Sequence, residues 1–210
     1  MKNIFFILII FFNCLSVSLA SPIHFNPKTI LSKDKLLTGN IPYIKNKEFK
    51  LLNKQIHSEL FKDYDETRIE FFSEILYQDE DYLTLKVHKE IQGGRSYSRE
   101  QYFVIDLKQK KILNLFEILD HYDISASEIE NQISKQLKTI NETELSNESF
   151  ENFQLTELAY FYNEHPEIII LNDKTSFYLN NNILGISFDI GVASYAFEFK
   201  VAHESLKAIL

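Results

Sequence analysis

The segment TRIEFFSEILYQDEDYLTLKVHKEI, residues 67–91, alternates apolar and polar residues with a period of two. In its first half Ile69, Phe71, Ile75 and Tyr77 share a face, interrupted by Ser73. In its second half Leu83, Leu85, Val87 and Ile91 fall on one face, with Thr84, Lys86, His88 and Glu90 on the other. Such alternation marks strands with one face on a core and the other toward water. QDED, residues 78–81, reads as the turn joining them. Two strands joined so tightly pair antiparallel.

The pattern extends downstream. QGGRSYSRE, residues 92–100, reads as the next loop and QYFVIDL, residues 101–107, as a third strand, which completes a meander. Upstream, Phe49, Leu52, Ile56 and Leu60 recur at three or four and predict an amphipathic helix over 46–61. Residues 21–42 hold Pro22, Pro27 and Pro42 with little periodicity, and read as an extended N-terminal arm.

A helical block follows. LNLFEIL (113–119) reads as a short helix or turn, and Ser125 with Glu128 as a capping box. Ile129, Ile133, Leu137 and Ile140 then step along one helix face, while 149–162 is open between helix and irregular packing. The tail returns to strands at EIIIL (167–171), TSFYL (175–179), ILGISFDI (183–190) and SYAFEFKV (194–201), with a short helix from about His203. Antiparallel strands interleaved with helices, without regular β-α-β alternation, predict an α+β fold: an antiparallel sheet with two or more helices on one face. The expected division is 1–20, 21–42 and a domain over 43–210, divisible into two sub-parts meeting near 110–150.

The first twenty residues have the three parts of a secretory signal peptide: a basic start at Lys2, the apolar run IFFILIIFF, and small residues at Ser18 and Ala20. Cleavage is expected between Ala20 and Ser21. The residues before Cys14 are Phe11-Phe12-Asn13, with no small residue to make a lipobox, and Cys14 would leave with the signal. The exported chain would then hold neither disulfide nor thiol nucleophile, and no stable membrane span. Loss of Lys2 moves the formal charge from −8 to −9. That charge disfavours nucleic acid and suits a basic partner. The expected location is periplasmic or secreted.

Motifs of chemistry are sparse. The histidines at 24, 57, 88, 121, 165 and 203 show no metal-ligand spacing. There is no G-x-S-x-G, and Ser194, Asp189 and His203 supply triad residue types without a triad pattern. The carboxylates of QDEDY (78–82) and EHPE (164–167) read as solvated turns, and the Asn141 and Asn147 sequons as parts of a polar connector. The expectation is no cofactor, no metal and no enzyme. The best binding candidate is the loop with Gly93, Gly94, Arg95, Tyr97 and Arg99: glycines allow close approach, and Arg and Tyr favour interfaces. Gly191 to Ser194 reads as a hairpin joint, with Tyr195 at its rim the remaining ligand candidate.

Several segments, taken together, resemble a known family. IPYIKNKEFKLLNKQIHSEL (41–60) has a Pro and then an Asn, Asn53, midway along an amphipathic helix. DYLTLKVHKEIQGG (81–94) is a strand ending at paired glycines. YFVIDLKQKKILNLFEIL (102–119) and FYLNNNILGISFDIGVASYAFEFKVAHESL (177–206) follow in the same order. The order resembles the extracytoplasmic domain of RsiV-type anti-sigma factors and PdaC-type peptidoglycan deacetylases, domain of unknown function 3298 with a 4163-like N-terminal part. The family often continues its paired glycines as GGAH, whereas this chain reads Gly93-Gly94-Arg95-Ser96, and Phe197-Glu198 replaces a second glycine in the last hairpin. The sigma-binding segment, membrane helix and catalytic domain of those relatives are not expected in this chain. The resemblance implies a free-standing envelope module that binds a lysozyme-like hydrolase or peptidoglycan. The alternatives are a structural envelope protein without a small ligand and a cell-wall-acting hydrolase.

Overall fold

The computed structural model describes residues 23–62, 67–93, 96–142, 150–189, 194–201 and 207–208. Cleavage residues Ala20 and Ser21, loop residues Gly94 and Arg95, and the joint at 190–193 lie outside that range. The helix expected from His203 begins outside it too; Lys207 and Ala208 instead pair with Lys200 and Phe199.

The arm expected over 21–42 contributes two strands, β1 (Lys28–Leu31) and β2 (Leu37–Ile41), which pair antiparallel. A 3-10 turn, Lys47–Phe49, leads into α1 (Lys50–Leu60), the expected amphipathic helix. Next come β3 (Arg68–Gln78), β4 (Tyr82–Gln92), β5 (Ser96–Asp106) and β6 (Lys111–Ile112), completing a six-stranded sheet in chain order. Its one parallel pair is β2 with β3, joined through α1. The apolar stripe Leu52, Ile56 and Leu60 of α1 packs on Phe71, Leu83, Leu85, Val87 and Phe103, all buried.

The second half holds α2 (Leu115–His121), α3 (Ala126–Glu142) and α4 (Phe150–Glu164), then β7 (Ser176–Asn180), β8 (Ile183–Asp189), β9 (Ser194–Lys200) and β10 (Lys207–Ala208). These four strands form a second, antiparallel sheet ordered β10-β9-β8-β7. Ile129, Ile133 and Leu137 of α3 join Leu158 of α4, Ile118 of α2, and Leu184, Ile186 and Phe199 of the sheet in a second core. The molecule is thus α+β, with its strands split between two sheets. Val104 of β5 enters the second core while Phe103 and Ile105 enter the first, so β5 separates the two.

Four local expectations change. The EIIIL strand is a 3-10 turn, Pro166–Ile169, because Pro166 at its start sets φ and removes a strand donor. The loop 92–100 is shorter than read, since Ser96 already begins β5 opposite Gln92. A bulge between Ile75 and Tyr77 breaks the shared face: Ile75 pairs with Leu85 but Tyr77 with Thr84, and Ile75 is exposed. The capping box sits at the α2 start, where Asn114 Oδ1 accepts from the Glu117 amide at 3.1 Å and Glu117 accepts from the Asn114 amide at 2.9 Å. At α3 the Ser125 hydroxyl pairs instead with Ser127 at 2.8 Å.

The β3–β4 turn is built on Asp79. Its carboxylate accepts from the Tyr82 amide at 2.6 Å, the Asp81 amide at 2.8 Å and the Tyr77 hydroxyl at 2.7 Å. Burial alone would raise the Asp79 acid, but the Tyr82 amide, Tyr77 hydroxyl, Asp81 amide and Lys108 together hold it below its ordinary 3.8. The hydrogen bond to Asp79, with burial, pushes the Tyr77 hydroxyl up to about 12. The signs follow from linkage. Asp79 stabilises the fold above its ordinary 3.8, and this stabilisation is lost as pH falls further. The Tyr77 contribution is complete below 10.0 and is lost as pH climbs toward about 12. Urea unfolding across the acid range is expected to show a steeper loss for the native chain than for Asp79→Asn. Superimposable acid limbs would remove Asp79 from this role.

Candidate functional site

The face of β3–β4–β5 turned away from α1 is polar, and register sets its rows. Glu70 lies opposite Glu90, and Glu90 opposite Ser98. The next row is Phe72, His88 and Glu100, and the next Glu74, Lys86 and Tyr102. Phe72 is 44% exposed, a large aromatic among carboxylates. Lys86 Nζ sits 2.6 Å from Glu100 Oε1, and the Tyr102 hydroxyl donates to the other Glu100 oxygen. His88 stands between two carboxylates, with Nε2 3.9 Å from Glu90 and Nδ1 3.9 Å from Glu100. Phe72, Ser73, Glu74, Lys86, His88 and Glu100 line a cleft of about 300 Å³ here.

The second sheet meets this face at β7. The Tyr178 ring lies 4.8 Å from that of Tyr102, and its hydroxyl donates to Glu198 at 2.5 Å. Gly185, across from Tyr178, leaves the space the ring fills; a Cβ there would stand 2.1 Å from the ring. Burial first, then the hydrogen bonds to Glu100 and Glu198, pushes both tyrosine hydroxyls well above the ordinary range. At neutral pH they are protonated donors that orient the two carboxylates rather than acids or nucleophiles. A second cavity of about 380 Å³, also lined by Glu100, opens between the 168–175 segment and β8.

The residues singled out from sequence scatter. Gly93 is exposed at the end of β4. Tyr97 lies within β5, half-buried against the first core. Arg99 Nε pairs with Asp189 Oδ2 at 2.9 Å, its guanidinium 5.2 Å from the Tyr97 ring centroid. Both side chains are therefore engaged with the fold, and Arg99 ties the first sheet to β8. Tyr195 is half-buried on the second core, its ring 5.0 Å from that of Phe197.

The histidines keep separate company: His57 Nε2 reaches the Pro42 carbonyl at 2.9 Å, His121 meets the Tyr82 ring edge-on, and His165 faces Glu167. Among the described residues no three His, Cys, Asp or Glu are grouped to hold a metal ion, and no helix is long and apolar enough to cross a membrane. Sequence reasoning missed Phe72, Glu100 and Tyr178. Alternation assigned Lys86, His88 and Glu90 to the outer face, but only register shows which groups stand opposite one another.

No family model matches the sequence, and no curated protein matches it. Solved structures do resemble the fold, and two are proteins of the DUF3298 family, the family that the sequence resembles. One, from Pseudomonas aeruginosa PAO1, has 12% identity and a TM-score of 0.47, covering 87% of this chain and 90% of that one. The other, from Bacteroides fragilis NCTC 9343, has 13% identity and a TM-score of 0.48, covering 87% and 91%.

Proposed function

We propose that this chain is an exported, non-enzymatic binding domain of the cell envelope whose partner is a basic, lysozyme-like hydrolase. The observation that carries this reading is the register pair Glu70–Glu90, with Phe72 exposed beside it. Like charges directly opposite in a sheet cost roughly 0.2–1 kcal/mol, a cost that a cationic partner relieves. Glu70, Glu74, Glu90 and Glu100 stand on this face against Arg68 and Lys86, and the whole chain carries −8. Such a field steers a basic protein toward the sheet, and the exposed aromatic gives it an apolar anchor.

The test is binding to hen-type lysozyme at two salt concentrations. Affinity is expected to fall about tenfold or more between 50 and 300 mM salt, since exposed charges are screened over a Debye length of about 10 Å or less. Changing Glu70→Gln and Glu90→Gln together is expected to weaken binding about tenfold while leaving thermal stability equal or slightly higher. Salt-independent binding, or an unchanged affinity in the double variant, would remove the acidic face from the proposal.

A further inference from the structure

We infer that two faces of this chain fit each other, and that the outer face of α4 is where the outer face of α1 from a second copy docks. The charge of the chain is unevenly placed. Residues 139–173 contain no Lys or Arg and eight acidic residues, so this stretch alone accounts for the −8 of the whole chain. Residues 23–62 hold the opposite excess, eight Lys against Asp34, Glu48 and Glu59. The helix α4 lies in the acidic stretch and α1 in the basic one.

Each helix also carries apolar residues on the side that its own core leaves open. The helix α4 buries Leu158, Ala159 and Tyr162 in the second core, yet Phe153, Tyr160 and Phe161 are exposed, Tyr160 by 63%. Glu157 and Glu164 recur with them three or four residues apart, along one stripe of the helix. A helix apolar on both sides is ordinarily covered on both. The complement stands on α1. Leu52, Ile56 and Leu60 are buried there, while Leu51, 69% exposed, sits among the exposed Lys47, Lys50 and Lys54. Lysine stems cover apolar surface while their heads reach acids, and ammonium groups are drawn to aromatic faces. Both outer faces are exposed within one copy, so they do not cover each other there, and a second copy brings them together. Net charge repels copies at long range, but that repulsion originates in the very stretch that docking of α1 neutralises. The contact joins unlike faces, so it either closes as a two-fold pair that makes it twice or runs on from copy to copy.

The experiment is sedimentation velocity of Ser21–Leu210, which keeps every described residue, over a concentration series at 50 and 300 mM salt. Association is expected at the lower salt and about tenfold weaker or more at the higher, because exposed charges are screened over about 10 Å or less. Two charge-reversal variants are each expected to be monomeric alone: Lys50→Glu with Lys54→Glu, and Glu157→Lys with Glu164→Lys. Mixed in equal amounts they are expected to associate again, since each then presents the sign that the other lacks. Mixing would not repair a damaged fold, so restoration reports complementary docking. Leu51→Ser and Tyr160→Ser leave the charge unchanged, and each is expected to weaken association about fivefold or more with the melting temperature unaltered. The inference is overturned if the native chain stays monomeric at both salts, if only one of the two reversals weakens association, or if the mixture stays monomeric. No lysozyme enters the assay, so its result bears on this contact alone and the proposed function stands or falls separately.

Discussion

Replacing Asn53 by alanine is expected to cost about 2–4 kcal/mol of stability, since it leaves two buried backbone groups without partners. Asn53 is 4% exposed in the middle of α1. Its Oδ1 accepts from the Ile44 amide at 2.9 Å, and its Nδ2 donates to the Ile44 carbonyl at 2.8 Å. One side-chain amide thus does for Ile44 what a neighbouring strand would do. Ile44 is fully buried and also bridges to Phe25, so water cannot replace the lost partners without opening the first core. Asn53→Asp keeps the acceptor, loses the donor and buries a charge, and is expected to be at least as harmful. Urea unfolding of the two variants measures this directly. A loss under about 1 kcal/mol for Asn53→Ala would mean that the bracket around Ile44 is dispensable. The sequence resemblance includes an asparagine at this place in the helix, and the bracket gives a physical reason for one.

Gly39→Ala is expected to cost about 3–5 kcal/mol, in the range reserved for steric and backbone conflicts. Gly39 has φ of +98°, where a side chain is strained regardless of space. It also stands opposite Phe71 in the parallel β2–β3 pairing. A Cβ there would lie 2.2 Å from the Phe71 carbonyl oxygen and 2.8 Å from its amide nitrogen. Those are backbone atoms of the central strand and cannot swing aside. The contrast is Gly185, where the clash is with the Tyr178 ring, a side chain and not backbone. Hydrogen exchange should show where Gly39→Ala acts: amides of β1 and β2 are expected to lose protection while those of β8 and β9 keep theirs. A variant within about 1 kcal/mol of the native chain, with β2 still protected, would contradict the close approach.

These sites differ in how visible they are before folding. Asn53 stands out because a polar residue interrupts an apolar stripe of period 3.6, but its partner, Ile44, lies outside the helix. Gly39 gives no local sign at all, since its constraint comes from a strand thirty residues on. Arg99 and Tyr97 were legible as interface residue types, yet β5 runs further than the glycines suggest and both become parts of the fold. EIIIL illustrates the opposite failure. A short apolar run has no period of its own, and Pro166 together with the packing of Ile169 and Leu171 makes it a 3-10 turn instead of a strand.

What the sequence by itself determined is the set of elements with a strong period: the meander β3–β5, helices α1 and α3, the last hairpin and the α+β class. Periodicity is a local property, and burial of one face is enough to write it into the chain. Only the tertiary structure decided which groups share the outer face. Glu70 meets Glu90, Lys86 and His88 meet Glu100, and Tyr102 meets Tyr178 because of register and the packing of one sheet on the other. It also decided that the strands divide into two sheets, with β5 giving Val104 to one core and Phe103 to the other. Pairing and register are set by contacts between residues far apart in the chain, and a single residue of slip would exchange the two faces.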